Sequence, residues 1–296
     1  MADSSIYIQL VISGLLIGGI YALISIGLTL IFGVMRIVNF AHGEFLMLAM
    51  FMTFWMVELT GMSPYMALPF VAVAMFVFGT IVYVLVIRKT LSSPMVVQIF
   101  ATVGLGMLMS NSALVAWTAD YRMLQSAAGS SVIHIGGIQI GVASLVAFSV
   151  AIVVALALFA FIAFTYTGKA IRATVQDRAA AQLMGVNIDR VFMLTFALGS
   201  LLVGIAGALL APIFPVYPTV GISFGTVSFV VVVLGGMGSM TGALLGGLII
   251  GLVETLSGFF IDTGLKQAVY FAVFILVLIF RPNGLFGQKG AEEMGL

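Results

Sequence analysis

The chain has 296 residues, of which 62% are hydrophobic and 7% are charged, and its mean hydropathy is +1.29. A soluble domain is about 45–50% apolar, so this composition excludes an ordinary soluble fold and indicates that lipid surrounds most of the surface. The net charge of +1 does not suggest nucleic acid as a partner, and the absence of cysteine excludes disulfides and thiolate metal sites.

Apolar segments of membrane-spanning length follow one another along the chain. The N-terminal tail MADSS lacks a basic region and the first apolar run is too long for a cleavable signal peptide, so we expect that run to be the first span. The fold class is therefore all-α: a polytopic membrane helix bundle of about 8–9 segments, some of them discontinuous, with 1–296 as a single transmembrane domain. The expected segments are 6–32, 40–59, 64–87, 95–117, 143–167, 191–211, 220–234, 240–260 and 266–280.

The first interruption follows the first segment, in LTLIFGVMRIVNFAHGEFL, which breaks at Gly33 and then carries polar groups. Asn39 is a candidate cap for the next helix, and Glu44 near its start suits the helix dipole. Two interpretations of Asn39, His42 and Glu44 stay open. They are interfacial structural groups near the cytosol, or, if 33–39 is a break inside the membrane, they line a translocation path.

The loop 118–142 contains SVIHIGGIQIG, in which apolar and polar residues alternate on both sides of Gly136 and Gly137. This pattern predicts a β-hairpin with His134 opposite Gln139. The hairpin is either a lid packed on the bundle or a docking surface for an external partner.

The loop 168–190 holds a mixed-charge segment, GKAIRATVQDRAAAQLMGVNID. We expect one helix over 169–184 with Gly185 just past its end, and an apolar stripe at Ile171, Val175, Ala179 and Leu183. The helix either rests on lipid headgroups or docks on a cytosolic protein. Its thin, alanine-rich stripe favours protein.

A second interruption lies at 220–234, because a helix of this length covers only about 22 Å of a hydrocarbon core about 30 Å thick. The sequence GGMGSMTG follows at once, and Ser239 is placed to cap a new helix at 240. Short, glycine-interrupted helices at membrane depth point to a transport path, and the two interruptions suggest an internal repeat. Glu254, deep in the next apolar run, is either helix-packing glue or a path-lining group.

Lysine and arginine in short loops set the orientation. Arg88, Lys89, the loop 168–190, Arg281 and Lys289 are expected in the cytosol, which makes 118–142 external. No enzymatic constellation emerges, because His42 and His134 fall on opposite sides of the membrane and no G-x-x-x-x-G-K-[ST] phosphate loop is present. Energy for transport would therefore come from a partner or an ion.

Several blocks together resemble the permease family of branched-chain amino-acid ABC importers, the LivH type. They are GLTLIFGVMRIVNFAHGEFLML, TGKAIRATVQDRAAAQLMGVNIDRV, AGALLAP, VVVVLGGMGSMTGALLGGLIIGLVE and IFRPNGLFG. The resemblance implies a multi-pass permease of the bacterial inner membrane that is not itself an enzyme and holds no metal or cofactor, with ATP and Mg in partner chains. The implied partners are a second homologous permease, two cytosolic ATPase subunits, a periplasmic binding protein and membrane lipid.

The resemblance also implies roles for residues. The segment coupled to the ATPase comprises Gly168, Lys169, Arg172, Asp177, Ala180, Gly185 and Asp189. The expected translocation path comprises Asn39, His42, Glu44, Gly235, Gly236, Gly238, Ser239 and Thr241. The expected docking site for the binding protein comprises His134, Gly136, Gly137 and Gln139. Relatives also carry urea, short amides or aromatic carboxylates, and an ion-coupled carrier or a membrane-embedded enzyme or scaffold are the rival classes.

Overall fold

A computed structural model describes residues 2–124 (side chains from Ser5), 129, 131–135 and 137–287. Helices dominate the described chain, and one short antiparallel hairpin interrupts them. The helices are α1 (Ala2–Met35), α2 (His42–Thr60), α3 (Pro64–Val82), α4 (Met95–Trp117), α5 (Val142–Phe164), α6 (Tyr166–Gln176), α7 (Arg178–Leu183), α8 (Ile188–Leu210), α9 (Val220–Gly235), α10 (Met240–Phe260) and α11 (Lys266–Phe280). The strands are β1 (Val132–Ile135) and β2 (Ile138–Gly141).

Within the described residues, eight helices are long and apolar enough to cross a membrane, which confirms the multi-pass helical fold. α3 reaches this length because a π-helical turn, Tyr83–Ile87, and a last turn to Thr90 extend it. α9 has 16 residues and covers about 24 Å, so the expected short segment is confirmed. α1 and α8 are the most buried spans, and α2, α3, α9 and α10 pack around them.

Two opposite ends of the bundle are defined by contacts between loops. At the basic end, Arg88 at the end of α3 pairs with Asp189 at the start of α8 at 3.1 Å. At the hairpin end, the backbone of Arg122 exchanges hydrogen bonds of 2.7 and 3.0 Å with Val216, and Gln9 near the start of α1 accepts from the backbone N–H of Gln139.

Helix starts follow the local chemistry of the sequence in most places. Ser63 and Ser239 cap α3 and α10 as expected, each accepting a hydrogen bond from a backbone N–H of the first turn. The hairpin is confirmed, with His134 paired to Gln139. Asn39 differs from expectation, because its Oδ1 accepts from Ala41 N–H at 3.2 Å before the helix begins, and α2 starts at His42 without a side-chain cap.

The expected single helix over 169–184 was wrong. Asp177 adopts an extended conformation (φ −152°, ψ 107°) and its Oδ1 caps a second helix by accepting from Ala180 N–H at 2.9 Å. A residue that forms such a cap leaves the helical conformation, which separates α6 from α7. Gly185 does follow the second helix with φ +85°, as expected. The stripe is discontinuous, since Ile171 is buried whereas Val175 and Leu183 are exposed.

Both interruptions turn the chain back into the bundle. After α1 ends, Arg36 takes a left-handed conformation (φ 61°), so the break begins there and not at Gly33. The chain then runs through an irregular segment that ends in a turn at Phe40 and Ala41. α2 starts beside Ile24, about 16 Å from the basic end of α1. After α8, residues 211–219 return from the hairpin end, and α9 starts inside the bundle.

Candidate functional site between the two helix breaks

The starts of α2 and α9 meet inside the bundle. Gly43 and Gly221 lie backbone to backbone, and Gly225 approaches Gly43 one turn further along α9. A Cβ on either of the first two would overlap the carbonyl oxygen of the other, so only glycine permits this approach. Two helix N-termini, one from each half of the chain, thereby converge at membrane depth, which is the arrangement of transport sites built on discontinuous helices.

The first break is anchored by buried polar side chains. His42 is fully buried and its Nε2 lies 3.0 Å from the carbonyl oxygen of Ile24. Asn39 is equally buried. These two residues therefore hold the break in place from within the protein.

α4 stabilises both breaks from one side. The Thr102 hydroxyl lies within donating distance of the carbonyl oxygens of Ile99 (3.0 Å) and Val38 (3.3 Å), and the Ser110 hydroxyl donates to that of Pro218 at 3.3 Å. Irregular backbone inside a membrane needs such partners, because lipid supplies none. Two turns of one helix thus place a hydroxyl against a carbonyl of the first break and against one of the second.

A groove of about 420 Å³ opens where α2 and α9 meet, and we call it the break groove. Glu44 is its acidic lining group; the residue is only 7% exposed, and its Oε2 has no hydrogen-bond partner within the described chain. The remaining walls are mainly apolar, with Phe40 stacked on Phe229 at a ring separation of 4.9 Å. Such a lining, mostly apolar with one free polar group, is typical of a small-molecule site.

The expected path residues therefore divide into three groups. Glu44 lines the break groove, whereas Asn39 and His42 are buried behind it. The others lie at the basic end, in the turn between α9 and α10, where the C-terminal segment pairs with them through Phe286 N–H and Gly235 O. That third group is Gly235, Gly236, Gly238, Ser239 and Thr241.

The residues predicted for coupling do different things. Arg172 donates to the carbonyl oxygen of Ala163 at the end of α5, and Asp177 caps α7. Asp189 accepts from the Tyr83 hydroxyl at 2.8 Å and pairs with Arg88.

Of the other four residues predicted for coupling, the two glycines shape the backbone and the other two side chains are exposed to solvent. Gly168 packs against the backbone of α5, and Gly185 takes its positive φ. Lys169 and Ala180 are exposed. Most of this set therefore shapes the loop.

Two apolar side chains on the same loop face solvent. Leu183 is 88% exposed and Met184 is 85% exposed. Sequence reasoning placed Leu183 in a packing stripe and overlooked Met184. The sequence places both just before Gly185, but no local signal in it indicates that they are exposed.

The hairpin residues are accessible. His134 and Gln139 are exposed at the tip of the two strands. Gly137 has φ +87°, and a Cβ at this position would meet no atom within 4 Å. Gly136 lies outside the described residues.

Some residues of the site carry no signal in the sequence. Sequence reasoning missed Gly43, Gly221, Thr102 and Ser110, which bring the two breaks together or satisfy their carbonyls. Nothing local distinguishes them from other small residues in apolar helices.

The chain is similar along nearly its whole length to known membrane permeases. The profile of the family described as "Branched-chain amino acid transport system / permease component" matches residues 10–278. The chain belongs to this family. Among its relatives is the high-affinity branched-chain amino acid transport system permease protein LivH of Escherichia coli K12, with 31% identity over 99% of this chain and 100% of the relative.

Other members of the family are also similar along their length. BraD of Pseudomonas aeruginosa PAO1, a permease protein of the same description, is 29% identical over 97% of this chain and 98% of its own. A probable LivH of Methanocaldococcus jannaschii is 25% identical over 94% of this chain and 92% of the relative. No solved structure matches the chain. The expected family is thereby confirmed, and the chain is a multi-pass membrane protein of the permease type.

Proposed function

We propose that this chain is a permease subunit of a bacterial inner-membrane ABC importer for branched-chain or related amino acids. The main support for a transport route through this chain is that α2 and α9 both start at one groove inside the bundle. Family membership supports the solute class, since the relatives named above are permeases of branched-chain amino acid systems.

The orientation follows from charge. Arg36, Arg88, Arg172 and Arg281 stand at the basic end, and the positive-inside rule assigns that end to the cytoplasm. The hairpin end then faces the periplasm, where a substrate-binding protein would deliver the solute. The break groove lies between these two ends, and the face of α9 beside it exposes Ile222, which leaves room for a second permease subunit.

Leu183 and Met184 are the proposed contact with a cytosolic ATPase. Two large apolar side chains are exposed side by side on this loop, and exposed apolar patches mark interaction sites. Burial of each in a partner would contribute about 1.5–3 kcal/mol. ATP and Mg would be bound by that partner, and the loop around Arg172 and Asp177 would hold the two side chains in position.

The assembled transporter provides the test. Membranes that express the chain with its ATPase subunits, second permease and binding protein are assayed for leucine uptake and for co-purification of the ATPase. We expect Leu183→Ser with Met184→Ser to lower both at least tenfold, since tenfold in affinity corresponds to about 1.4 kcal/mol.

The matched control is Leu59→Ser, which alters a side chain of similar exposure (77%) at the hairpin end. It should leave co-purification unchanged. Equal behaviour of the two variants, or leucine uptake by the chain without any ATPase, would contradict the proposed function.

A further inference from the structure

A second cavity lies on the other face of the first turns of α9, away from the break groove. It encloses about 200 Å³, whereas one water needs about 10–15 Å³. Three further helices contribute polar side chains to its lining, and Tyr217 contributes another from the segment before α9. The four side chains from the helices are Tyr21 on α1, Glu254 on α10, and Gln267 and Tyr270 on α11. None of these four lines the break groove, and we call this space the Glu254 cavity.

Glu254 lacks a cationic partner among the described residues. The Tyr21 hydroxyl donates to its Oε2 at 2.7 Å. In the part of the chain that the structure describes, no lysine, arginine or histidine nitrogen lies within 4.0 Å of its carboxyl oxygens. An acidic side chain in a membrane span is costly and is usually retained for function, so a cation from outside the chain is the missing counterpart.

Tyr270 provides a second, independent indication of a ligand. The residue is only 1% exposed, it lines the same cavity, and its hydroxyl has no hydrogen-bond partner among the described residues. A buried hydroxyl without a partner costs free energy that a ligand could recover. Tyr21 and Tyr270 thus supply one occupied and one free hydroxyl around the carboxylate.

The start of α9 forms the opposite wall. Val220 and Ser223 belong to its first turn and line the cavity. The N-terminus of a helix carries partial positive charge, which favours an anion. The N–H groups of Val220 and Ile222 donate to the carbonyl oxygens of Tyr217 and Thr219, so the attraction here comes from the helix dipole. One cavity therefore offers a carboxylate on one wall and a helix N-terminus on another, which is complementary to a molecule that bears both an ammonium and a carboxylate group.

We propose that the Glu254 cavity is a binding site for the primary ammonium group of an amino-acid substrate, with the substrate carboxylate toward the start of α9. The proposal rests on the proposed transport of amino acids and adds a residue-level site for the charged part of the solute. The apolar part of the cavity wall, which includes Phe214, Phe224 and Val227, is then left for the apolar side chain of the solute.

The test uses the purified full chain in detergent, without partner subunits. The probe is 3-methylbutylamine, which has a primary ammonium group and a branched apolar chain but no carboxylate. Its binding is measured by saturation-transfer NMR and by the shift in thermal unfolding. We expect Glu254→Gln to raise the dissociation constant at least tenfold, and the control Glu58→Gln, at an exposed position near the end of α2, to leave it unchanged.

Tyr270→Phe tests the same cavity if Glu254→Gln fails to fold. This substitution keeps the ring and the Tyr21–Glu254 hydrogen bond but removes the unpaired hydroxyl. We expect weaker amine binding, by a factor of three or more (roughly 0.6 kcal/mol), in a chain that is at least as stable. Unchanged amine binding in Tyr270→Phe or in a folded Glu254→Gln, or no binding to the parent chain, would overturn the proposal.

The two proposals fail in different ways. Amine binding that depends on Glu254, combined with no amino-acid uptake by the assembled transporter, would overturn the proposed function and leave an amine site. Normal uptake in Glu254→Gln would overturn the cavity as a substrate site and leave the transport function intact.

Discussion

Gly43→Ala tests whether the meeting of α2 and α9 is required by the fold. The new Cβ would overlap Gly221 O and would lie 2.9 Å from Gly225 Cα. Both obstacles are backbone atoms, so no side chain can rotate away and the two helix starts must separate. Overpacking of this kind costs about 1–3 kcal/mol.

Gly104→Ala is the matched control. Gly104 lies in the middle of α4, and a Cβ there would meet no atom within 4 Å. Alanine is favoured over glycine inside a helix by about 0.5–1 kcal/mol, so this variant should be slightly more stable than the parent. Since any helix-propensity gain stabilises both variants, the clash alone should leave Gly43→Ala about 1–3 kcal/mol less stable than Gly104→Ala.

The assay is thermal unfolding of the full chain in detergent, followed by leucine uptake in the assembled transporter. Gly43→Ala should unfold at a lower temperature than both the parent and Gly104→Ala, and its uptake should fall because the break groove changes shape. If Gly43→Ala were as stable as Gly104→Ala and transported leucine normally, the close approach of Gly43 and Gly221 would be required neither for stability nor for transport.

Three further predictions concern single hydrogen bonds, each measured by thermal unfolding of the full chain. Asp177→Ala removes the cap of α7 and should cost about 1 kcal/mol, with faster amide exchange at Ala180 as the local readout. Tyr83→Phe removes the hydroxyl that donates to Asp189 but keeps the ion pair between Asp189 and Arg88, and should lower the free energy of unfolding by about 1 kcal/mol. Thr102→Val keeps the shape of the side chain but removes the hydroxyl that reaches the carbonyls of Ile99 and Val38, and should cost about 1 kcal/mol. No loss of stability in a variant would refute the assigned bond.

The structure changes how charge reversal in the loop 168–190 should be interpreted. Arg172→Glu and Asp177→Lys would uncouple ATP hydrolysis from transport if these side chains touched the ATPase. Both are instead engaged within the chain, Arg172 with α5 and Asp177 with α7. We therefore expect these variants to disturb the shape of the loop, whereas Leu183 and Met184 are the side chains free to contact a partner.

Composition and local pattern were sufficient for the membrane class, most helix bounds, the hairpin register and the serine caps. These features depend on residues close together in sequence: an apolar run long enough to cross lipid, alternation around Gly136 and Gly137, and a hydroxyl that reaches an N–H three residues ahead. The long blocks around both breaks were also enough to identify the family.

Only the tertiary structure decided what the two breaks do. Gly43 and Gly221 are far apart in sequence, and a glycine in an apolar helix looks the same whether it faces lipid or another backbone. Glu254 had no partner identifiable from sequence, because Tyr21 and Tyr270 come from two other helices. Local sequence sets which segments enter the membrane, whereas close approach and the pairing of buried polar groups depend on how distant helices pack.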